Sequence, residues 1–558
     1  MNTAIEYIIF VVGAAAIAAQ ALRYLRVAQR EHYIPFYTVR FAYRWQKSSY
    51  QNEVLFSSAL LAGVIAIFYY QVAVIAALAA IVMPLGLSLK GRTSKLNWTR
   101  RLKTTAVALS CLVFLPAIAV VLSFGLKALD AALVLTALAI PAFLDAALFL
   151  LLPLEKKLAK KYIDSAKAKL QKADPLVVAI TGSYGKTSTK TYLAHLLKDN
   201  YQILASPKSF NNKIGLAKTV NEGLFPSTEV FIAEMGIFGP GEIREMCSWV
   251  VPKIAAITAV GPVHLERFGS VEKIAEAKAE ITEKADTVVL NIDNPYLAKL
   301  YRSLQDSGKK LVSVSEEDEN ADICIKYTDS LSFASDQPVP ETGEENSGVS
   351  AIKNSSTPGK TFGRRLSVFS KNKHLLSLDA GISDKGIALT NIAVALAIAL
   401  ELKCPLEQTA AKLVDLPQAS NRLNVERLPG DITVLDDTYN SNPKGASLAL
   451  ETMSFITSDT RGKKILVTPG MIELGPEQFQ ANEEFSYQAC ALVTHFLIVN
   501  STNKKALEAG IKKYKSTGLS SPEVFRYKTR EEAVRFVKSL LQAGDVVLYE
   551  NDLPDHYP

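Results

Sequence analysis

Five apolar runs in the first 152 residues constrain what this chain can fold into more than any other feature. They lie near residues 6–22, 54–70, 71–88, 104–125 and 129–152. A bilayer hydrocarbon core of ~30 Å takes roughly 20 helical residues to cross, so several of these runs are long enough to span it. In lipid a spanning segment must satisfy its own backbone polar groups, and runs this long without alternation do so as helices. The second and third runs almost touch at Tyr69, Tyr70 and Gln71, so they read as a tight hairpin or one re-entrant unit. The first has no basic residues ahead of it and several behind, unlike a cleavable signal peptide.

The chain has 558 residues, is 49% hydrophobic and has a mean hydropathy of +0.13, high for a wholly soluble protein. Its formal charge of +7 gathers in basic runs beside the apolar ones. Arg23, Arg26, Arg30, Arg40, Arg44 and Lys47 follow the first run. Lys90, Arg92, Lys95, Arg100, Arg101 and Lys103 follow the third, and Lys156, Lys157, Lys160 and Lys161 the fifth. The opposite loops carry only Lys127. The positive-inside rule then gives a multi-pass protein of the cell membrane, with five spans, the N-terminus outside and the remainder in the cytoplasm. Arg23, Arg26 and Arg30 read either as topology signals or as contacts for a pyrophosphate headgroup among the membrane lipids. Cys111, Cys247, Cys324, Cys404 and Cys490 form no CxxC pair, which fits reduced residues facing the cytosol.

Asp145 falls inside the fifth run. An intramembrane carboxylate is either functional or bonded to a neighbouring helix. After that run, Leu158, Tyr162, Ala166 and Leu170 recur every four residues among lysines. The pattern predicts a basic linker helix, either continuing the fifth span along the headgroups or solvated.

From Pro175 onward short apolar strands alternate with helical patterns, the mark of an α/β fold with a mostly parallel sheet. The predicted organisation is an N-terminal transmembrane helix bundle (1–155), the linker helix (156–173), a central P-loop parallel-sheet ATPase domain (174–418) and a C-terminal Rossmann-like α/β domain (419–558). Residues 334–360 are rich in Gly, Pro and Ser and read as a mobile surface insertion. No internal repeat is visible. The soluble part has no basic patch with interleaved aromatics, so nucleic acid is not an expected partner.

The first soluble strand, "LVVAI", runs into "TGSYGKTS" and then a helix. Gly182 and Gly185 free the backbone of Gly182, Ser183, Tyr184 and Gly185 to turn amides toward phosphate oxygens. Lys186 offers a cation to the β- and γ-phosphates, and Thr187, followed by Ser188, can reach magnesium. Ile180 stands where a full phosphate-loop motif has its first glycine, but the strand–loop–helix context is the one the motif needs. ATP is the expected ligand. Glu234 ends the strand "VFIAEMG", His264 sits in "VGPVHLERFGS" and Lys278 in "EAKAEI". Singly they read as a strand-end carboxylate, a core histidine and a solvated helical lysine.

Together with "SFNNKIG", "EMGIFGPGEI", "DDTYNSNP" and "GMIELG", in that order, these groups resemble the Mur ligase family, which builds peptide bonds on peptidoglycan precursors. In motif the nearest branch adds D-alanyl-D-alanine to a UDP-muramoyl tripeptide. The resemblance implies that a carboxylate attacks the γ-phosphate of ATP and an amine then displaces phosphate. It implies two magnesium ions, one held by Thr187 and Glu234 and the other by His264 and a carbamylated Lys278. It assigns Asn391 to adenine, Arg422 to the phosphates and Asp437 to the nucleotide. Asn211, Asn212, Tyr439, Asn440 and Asn442 become substrate or cleft-closing residues.

The chain also departs from the family. Apolar runs stand where the family has its UDP-holding N-terminal domain. "DKGIALTN" lacks a His-Asn pair before Asn391, "VTPGMIELG" has Pro469 and Gly470 in place of Gly and Asp, and the end lacks a Lys-Gly-Ser. The expected activity is therefore membrane-bound, ATP-dependent, ADP-forming ligation of an amino acid or peptide amine to a carboxylate-bearing envelope precursor, lipid-linked in the leading reading. The alternatives are D-alanyl-D-alanine addition to the UDP-linked tripeptide with the helices as anchor, and a non-catalytic ATP-responsive membrane scaffold. Glu234, His264 and Lys278 argue against the scaffold, since ATP sensing has no use for a second metal site.

Overall fold

The computed structural model describes residues 2–47, 49–91, 95–124, 126–207, 210–263, 265–328, 365–379, 388–417, 423–438, 442–456 and 462–553. The expected insertion at 334–360 lies outside them. The N-terminal part consists of α1 (Asn2–Arg30), α2 (Tyr37–Gln46), α3 (Tyr50–Ile65), α4 (Ala73–Val82), α5 (Arg100–Phe124) and α6 (Leu126–Ala173).

Among the described residues three stretches are long and apolar enough to cross a membrane, Tyr7–Arg30, Arg100–Val120 and Ala131–Ala173, where the sequence pattern suggested five. The second and third runs form α3 and α4, of 16 and 10 residues. At roughly 24 and 15 Å each is shorter than a ~30 Å hydrocarbon core. They pack on each other as the re-entrant hairpin.

Helix α2 was not expected, and it explains Asp145. That carboxylate is 2% exposed. Its Oδ1 accepts from the Thr38 amide at 3.2 Å and the Thr38 hydroxyl at 2.7 Å, and its Oδ2 from the Val39 amide at 2.9 Å. Asp145 thus satisfies the first free amides of α2, at the end where the helix dipole favours negative charge. This is the plainer of its two readings: a carboxylate bonded to another helix.

Helix α6 runs for 48 residues through the last apolar run and the lysine-rich stretch, on the order of 70 Å. Ile163, Ala166 and Leu170 share one helical face and are buried in the core of the following domain. Lys169 Nζ donates to the Asn221 carbonyl and Asn221 Nδ2 to the Tyr162 carbonyl, both at 2.9 Å. The stretch is therefore packed into the soluble domain, while Leu158 is left exposed.

The central sheet contains β1 (Leu176–Thr181), β2 (Ile203–Ala205), β3 (Val230–Glu234), β4 (Ile254–Ile257), β5 (Thr287–Asn291), β6 (Lys310–Ser315), β7 (Ile323–Thr328), β8 (Arg365–Ser370) and β9 (Lys373–Asp379). Their order is β2-β3-β1-β4-β5-β6-β7-β8-β9, parallel as far as β7 and antiparallel from there. Val178 and Ile180 face one core, with helix Leu389–Glu401, while Val177 and Ala179 face the other, with the end of α6. Burial on both faces explains why β1 reads as a continuous apolar run. The second sheet holds β10 (Asn424–Leu428), β11 (Ile432–Asp437), β12 (Lys464–Thr468), β13 (His495–Val499), β14 (Glu523–Tyr527) and β15 (Val546–Glu550), in the order β10-β11-β15-β12-β13-β14. Only β10 is antiparallel to its neighbour. Because β1 lies between β3 and β4, the chain leaves it toward both sides of the sheet. A crevice beyond its carboxyl end is where open α/β sheets bind ligands.

Candidate functional site

The segment after β1 turns at two glycines for steric reasons. Gly182 has φ 155 and Gly185 φ 80, conformations that side chains resist. A Cβ on Gly182 would overlap the Thr258 hydroxyl, and one on Gly185 the Asn391 amide oxygen. Ser183 is pinned from β4's continuation: its amide donates to the Ala259 carbonyl at 2.7 Å and its hydroxyl to the Gly261 carbonyl at 3.1 Å. Helix Lys186–Leu197 starts immediately afterward. The amides of its first turn have no intrahelical partners, so this end can receive an anion's oxygens. Lys186 Nζ folds back on the Gly182 carbonyl at 2.7 Å. Ser188 points into the core and is buried.

Glu234, at the carboxyl end of β3, is the hub. It is 2% exposed. Its Oε2 accepts from the Thr187 hydroxyl at 3.0 Å and from Lys190 Nζ at 2.8 Å, and its Oε1 from Asn211 Nδ2 at 3.2 Å. Burial pushes this carboxyl up, but Lys190 and Lys186 beside it, with the bonds from Lys190 and Asn211, outweigh burial and hold it below the usual range. A buried carboxylate kept ionised next to a threonine hydroxyl offers the oxygen donors magnesium prefers. Lys190, whose buried ammonium completes the pair, was missed from sequence. Its signal was position: one helical turn beyond Thr187, on the same face.

Lys278 ends helix Val271–Ala279 and is 3% exposed. Burial, and the positive charge of Lys186, hold its amine well below a lysine's ordinary pKa. It is thus no solvated helical lysine. The downward shift favours the neutral amine, the form that reacts with carbon dioxide, so the residue fits carbamylation.

Asn391 begins helix Leu389–Glu401 and packs on Gly185 of the loop. Asn212 and Asn442 serve as helix caps, accepting from the Gly215 and Gly445 amides at 2.9 Å each. Asp437, at the end of β11, accepts from the Leu423 amide at 3.1 Å and so fixes the chain beside Arg422. His264, Arg422, Tyr439 and Asn440 lie outside the described residues.

A cleft of about 650 Å³ separates the two soluble domains. Tyr184, Gly261, Asn291 and Asp293 line it from the central sheet, and Lys444, Glu477 and Glu484 from the second domain. The Asn291–Asp293–Asn294 turn was also missed from sequence, because "TVVLNID" reads as one continuous strand, whereas β5 ends at Asn291. The helical bundle also contacts the central domain. Glu31, just past α1, pairs with Arg267 at 3.4 Å, and the His32 ring lies 5.2 Å from Phe238. Phe238 is four residues beyond Glu234 in the chain, and Arg267 is three beyond His264.

Comparison with known proteins agrees with this arrangement. The Mur ligase middle domain matches residues 180–347, and the Mur ligase glutamate ligase domain matches 421–549. A UDP-N-acetylmuramoyl-tripeptide–D-alanyl-D-alanine ligase of Mycobacterium tuberculosis (strain CDC 1551 / Oshkosh) is 27% identical over 389 residues, 67% of this chain and 69% of the relative. The enzyme of that name from Bacillus subtilis (strain 168) is 26% identical over 69% of this chain and 75% of its own. Among solved structures, a MurF ligase from Thermotoga maritima in complex with ADP is similar in fold. Its TM-score is 0.54 at 21% identity, covering 71% of this chain and 80% of that one.

Proposed function

This chain belongs to the Mur ligase family, whose two domain matches together cover just over half of it, and from that premise we propose a membrane-bound ligase that joins an amine to the carboxylate of a muramoyl-peptide-type envelope precursor. Members of the family are ATP-dependent, ADP-forming amide ligases. In the proposed reaction an acceptor carboxylate oxygen attacks the γ-phosphorus and ADP leaves. The amine then attacks the acyl carbon, the C–O bond breaks, phosphate departs and the amine loses a proton.

The observation that carries this reading is Glu234, a buried carboxylate kept ionised between two lysines and bonded to Thr187 of the phosphate loop. The loop amides and Lys186 orient the phosphates and meet the charge that grows on them during transfer. Thr187 and Glu234 would hold one magnesium ion, and His264 with a carbamylated Lys278 a second. Bound there, the ions would neutralise the phosphate charge that otherwise repels an incoming carboxylate. Asn391, Arg422 and Asp437 complete the proposed nucleotide contacts, and Asn211, Asn212, Tyr439, Asn440 and Asn442 those to substrate.

The curated relatives are named for joining D-alanyl-D-alanine to UDP-N-acetylmuramoyl-tripeptide, which makes D-alanyl-D-alanine the first amine to test. For the acceptor we favour a lipid-linked form. The three long apolar helices would lie in the membrane with the soluble domains cytoplasmic, and the turn after α1 meets the loops that follow Glu234 and His264. A tail confined to the bilayer would hold the carboxylate near the γ-phosphate, an orientation effect of several kcal/mol. The relatives' names favour the second reading, a UDP-linked acceptor with the helices as anchor. Phosphate release by the full chain in lipid, with D-alanyl-D-alanine and either acceptor form, separates the two. Faster release with the lipid-linked form supports the first reading, and equal or faster release with the UDP-linked form supports the second.

A further inference from the structure

Helix α1 carries a polar stripe on a three-residue spacing: Gln20, Arg23, Arg26 and Gln29. Each meets the segment that follows α4. Gln20 Nε2 donates to the Met83 carbonyl at 2.8 Å, Arg23 Nε to the Leu87 carbonyl at 3.0 Å, Arg26 Nη1 to the Ser88 hydroxyl at 3.4 Å and Gln29 Nε2 to the Asn97 carbonyl at 2.6 Å. Two neutral glutamines suffice to hold the ends of this segment. The middle is held by two arginines, each with five N–H donors.

Their burial goes beyond what topology signals require. Arg23 is 6% exposed and Arg26 3%, whereas a positive-inside arginine serves its purpose in contact with headgroups and water. Arg23 Nη1 is enclosed and has no hydrogen-bond partner. Among the described residues, the ionisable groups that act on Arg23 are Tyr24 and Arg26, and neither is a carboxylate. Enclosing a guanidinium with donors unused and a second guanidinium one turn away is costly unless an anion completes the site. Arginine's planar fork suits phosphate in particular. The exposed Ser88 hydroxyl stands at the mouth, where a cavity of about 190 Å³ opens toward the second soluble domain. Lys528, Thr529, Arg530, Glu531 and Asp552 wall it, Arg530 being paired with Asp552 at 2.8 Å, and Ser88 connects it to Arg26. The stripe lies in the last two to three turns of the first membrane-length helix, at the end the basic loops assign to the cytoplasmic headgroups.

We infer that Arg23 and Arg26, with Ser88, form a binding site for the phosphate or pyrophosphate of a lipid headgroup at the cytoplasmic end of α1. The inference deepens the lipid-linked reading of the acceptor and rests on it for its role in ligation. The binding step itself requires neither ATP nor amine.

The test is equilibrium binding to the full chain in detergent micelles, without nucleotide, using three probes: a polyprenyl pyrophosphate, the corresponding polyprenyl alcohol and inorganic pyrophosphate. The expected result is saturable binding of the polyprenyl pyrophosphate, weakened ten-fold or more in Arg23→Gln and Arg26→Gln, with the alcohol binding at least ten-fold more weakly. Ser88→Asp guards against misfolding of those variants. It leaves both arginines and their packing in place, sets a carboxylate against Arg26, and is expected to cause the same loss at an unchanged Tm. Binding that is equal in all variants, or equal for the alcohol, overturns the site. Inorganic pyrophosphate binding as tightly as the lipid keeps the anion site but overturns the headgroup assignment. Binding as expected, in a protein that fails to ligate lipid-linked acceptors, leaves the site standing and rejects the acceptor reading instead.

Discussion

Lys186 and Lys190 act on the Glu234 carboxylate, and Lys278 acts on Lys186; each of the three has a different consequence when removed. Lys186→Ala is expected to lower ATP-dependent turnover by about 10²-fold or more, the scale for losing one preorganised charge at a transferring group. Its unfolding free energy should change by less than about 1 kcal/mol, because the half-exposed ammonium bonds to the Gly182 and Ser183 carbonyls of the loop and is not packed into the core. Denaturant titration beside a steady-state assay checks both. Lys190→Met acts the other way. It strips a buried carboxylate of its closest cation, and breaking such a pair costs about 3–5 kcal/mol, readable as a fall in the urea midpoint at unchanged slope. Lys278→Met is expected to abolish ligation, erase the carbamate signal in labelled-bicarbonate NMR, and raise Tm in carbon-dioxide-free buffer. The sign follows from the depressed amine. A lysine whose folded pKa lies below its unfolded value makes folding costlier as pH falls, so the gain in Tm should be largest at low pH and shrink toward the free-lysine pKa. Much of this cluster was legible in the sequence, since Lys186, Thr187 and Glu234 sit in ordered motifs at strand ends and Lys278 in a helical motif that follows them in family order. Lys190 was not, because burial is a tertiary property and a helical lysine looks the same whether it faces water or Glu234.

Elements were legible wherever one periodicity ran long enough. The runs that became β1, β3, β4 and β5 were continuous and apolar because both faces are covered, and the helix after β1 followed from the glycine turn. The hairpin of α3 and α4 was harder: its two runs have the composition of spans, and only their 16- and 10-residue helices show that neither crosses alone. Helix α2 escaped because the partner of its first turn is Asp145, 107 residues away from Thr38 in sequence. Asp145→Ala is expected to leave the Thr38 and Val39 amides unsatisfied and to destabilise α2 by about 1–3 kcal/mol. Hydrogen exchange in lipid checks this, with protection lost across Thr38–Phe41 and retained in α5. If α2 stays as protected as in the unaltered chain, the capping role is wrong. Helix α6 also dictates where a soluble fragment can begin. A cut at Ala173 would remove Ile163, Ala166 and Leu170 from the domain core, so a folded fragment must retain the helix from about Leu158.

At the scale of the whole molecule, α6 is one continuous helix from the apolar bundle into the central domain, and the turn after α1 touches Phe238 and Arg267 of that domain. The helical bundle and the domain that carries the phosphate loop are therefore joined at two places. The sequence conveyed the three-part order of the chain but not these contacts, since Glu31 and Arg267 pair across 236 residues. The central claim is that this assembly activates a carboxylate by phosphorylation. It is tested most directly by supplying the full chain in lipid with ATP, D-alanyl-D-alanine and an acceptor whose reacting carboxylate carries oxygen-18, and weighing the phosphate released. The expected result is one heavy oxygen in each phosphate, released together with one new amide bond, because the oxygen that attacks the γ-phosphorus leaves with it. Unlabelled phosphate would mean that water, not the acceptor, attacks ATP, and label in AMP would mean adenylation; either result contradicts an acyl-phosphate ligase.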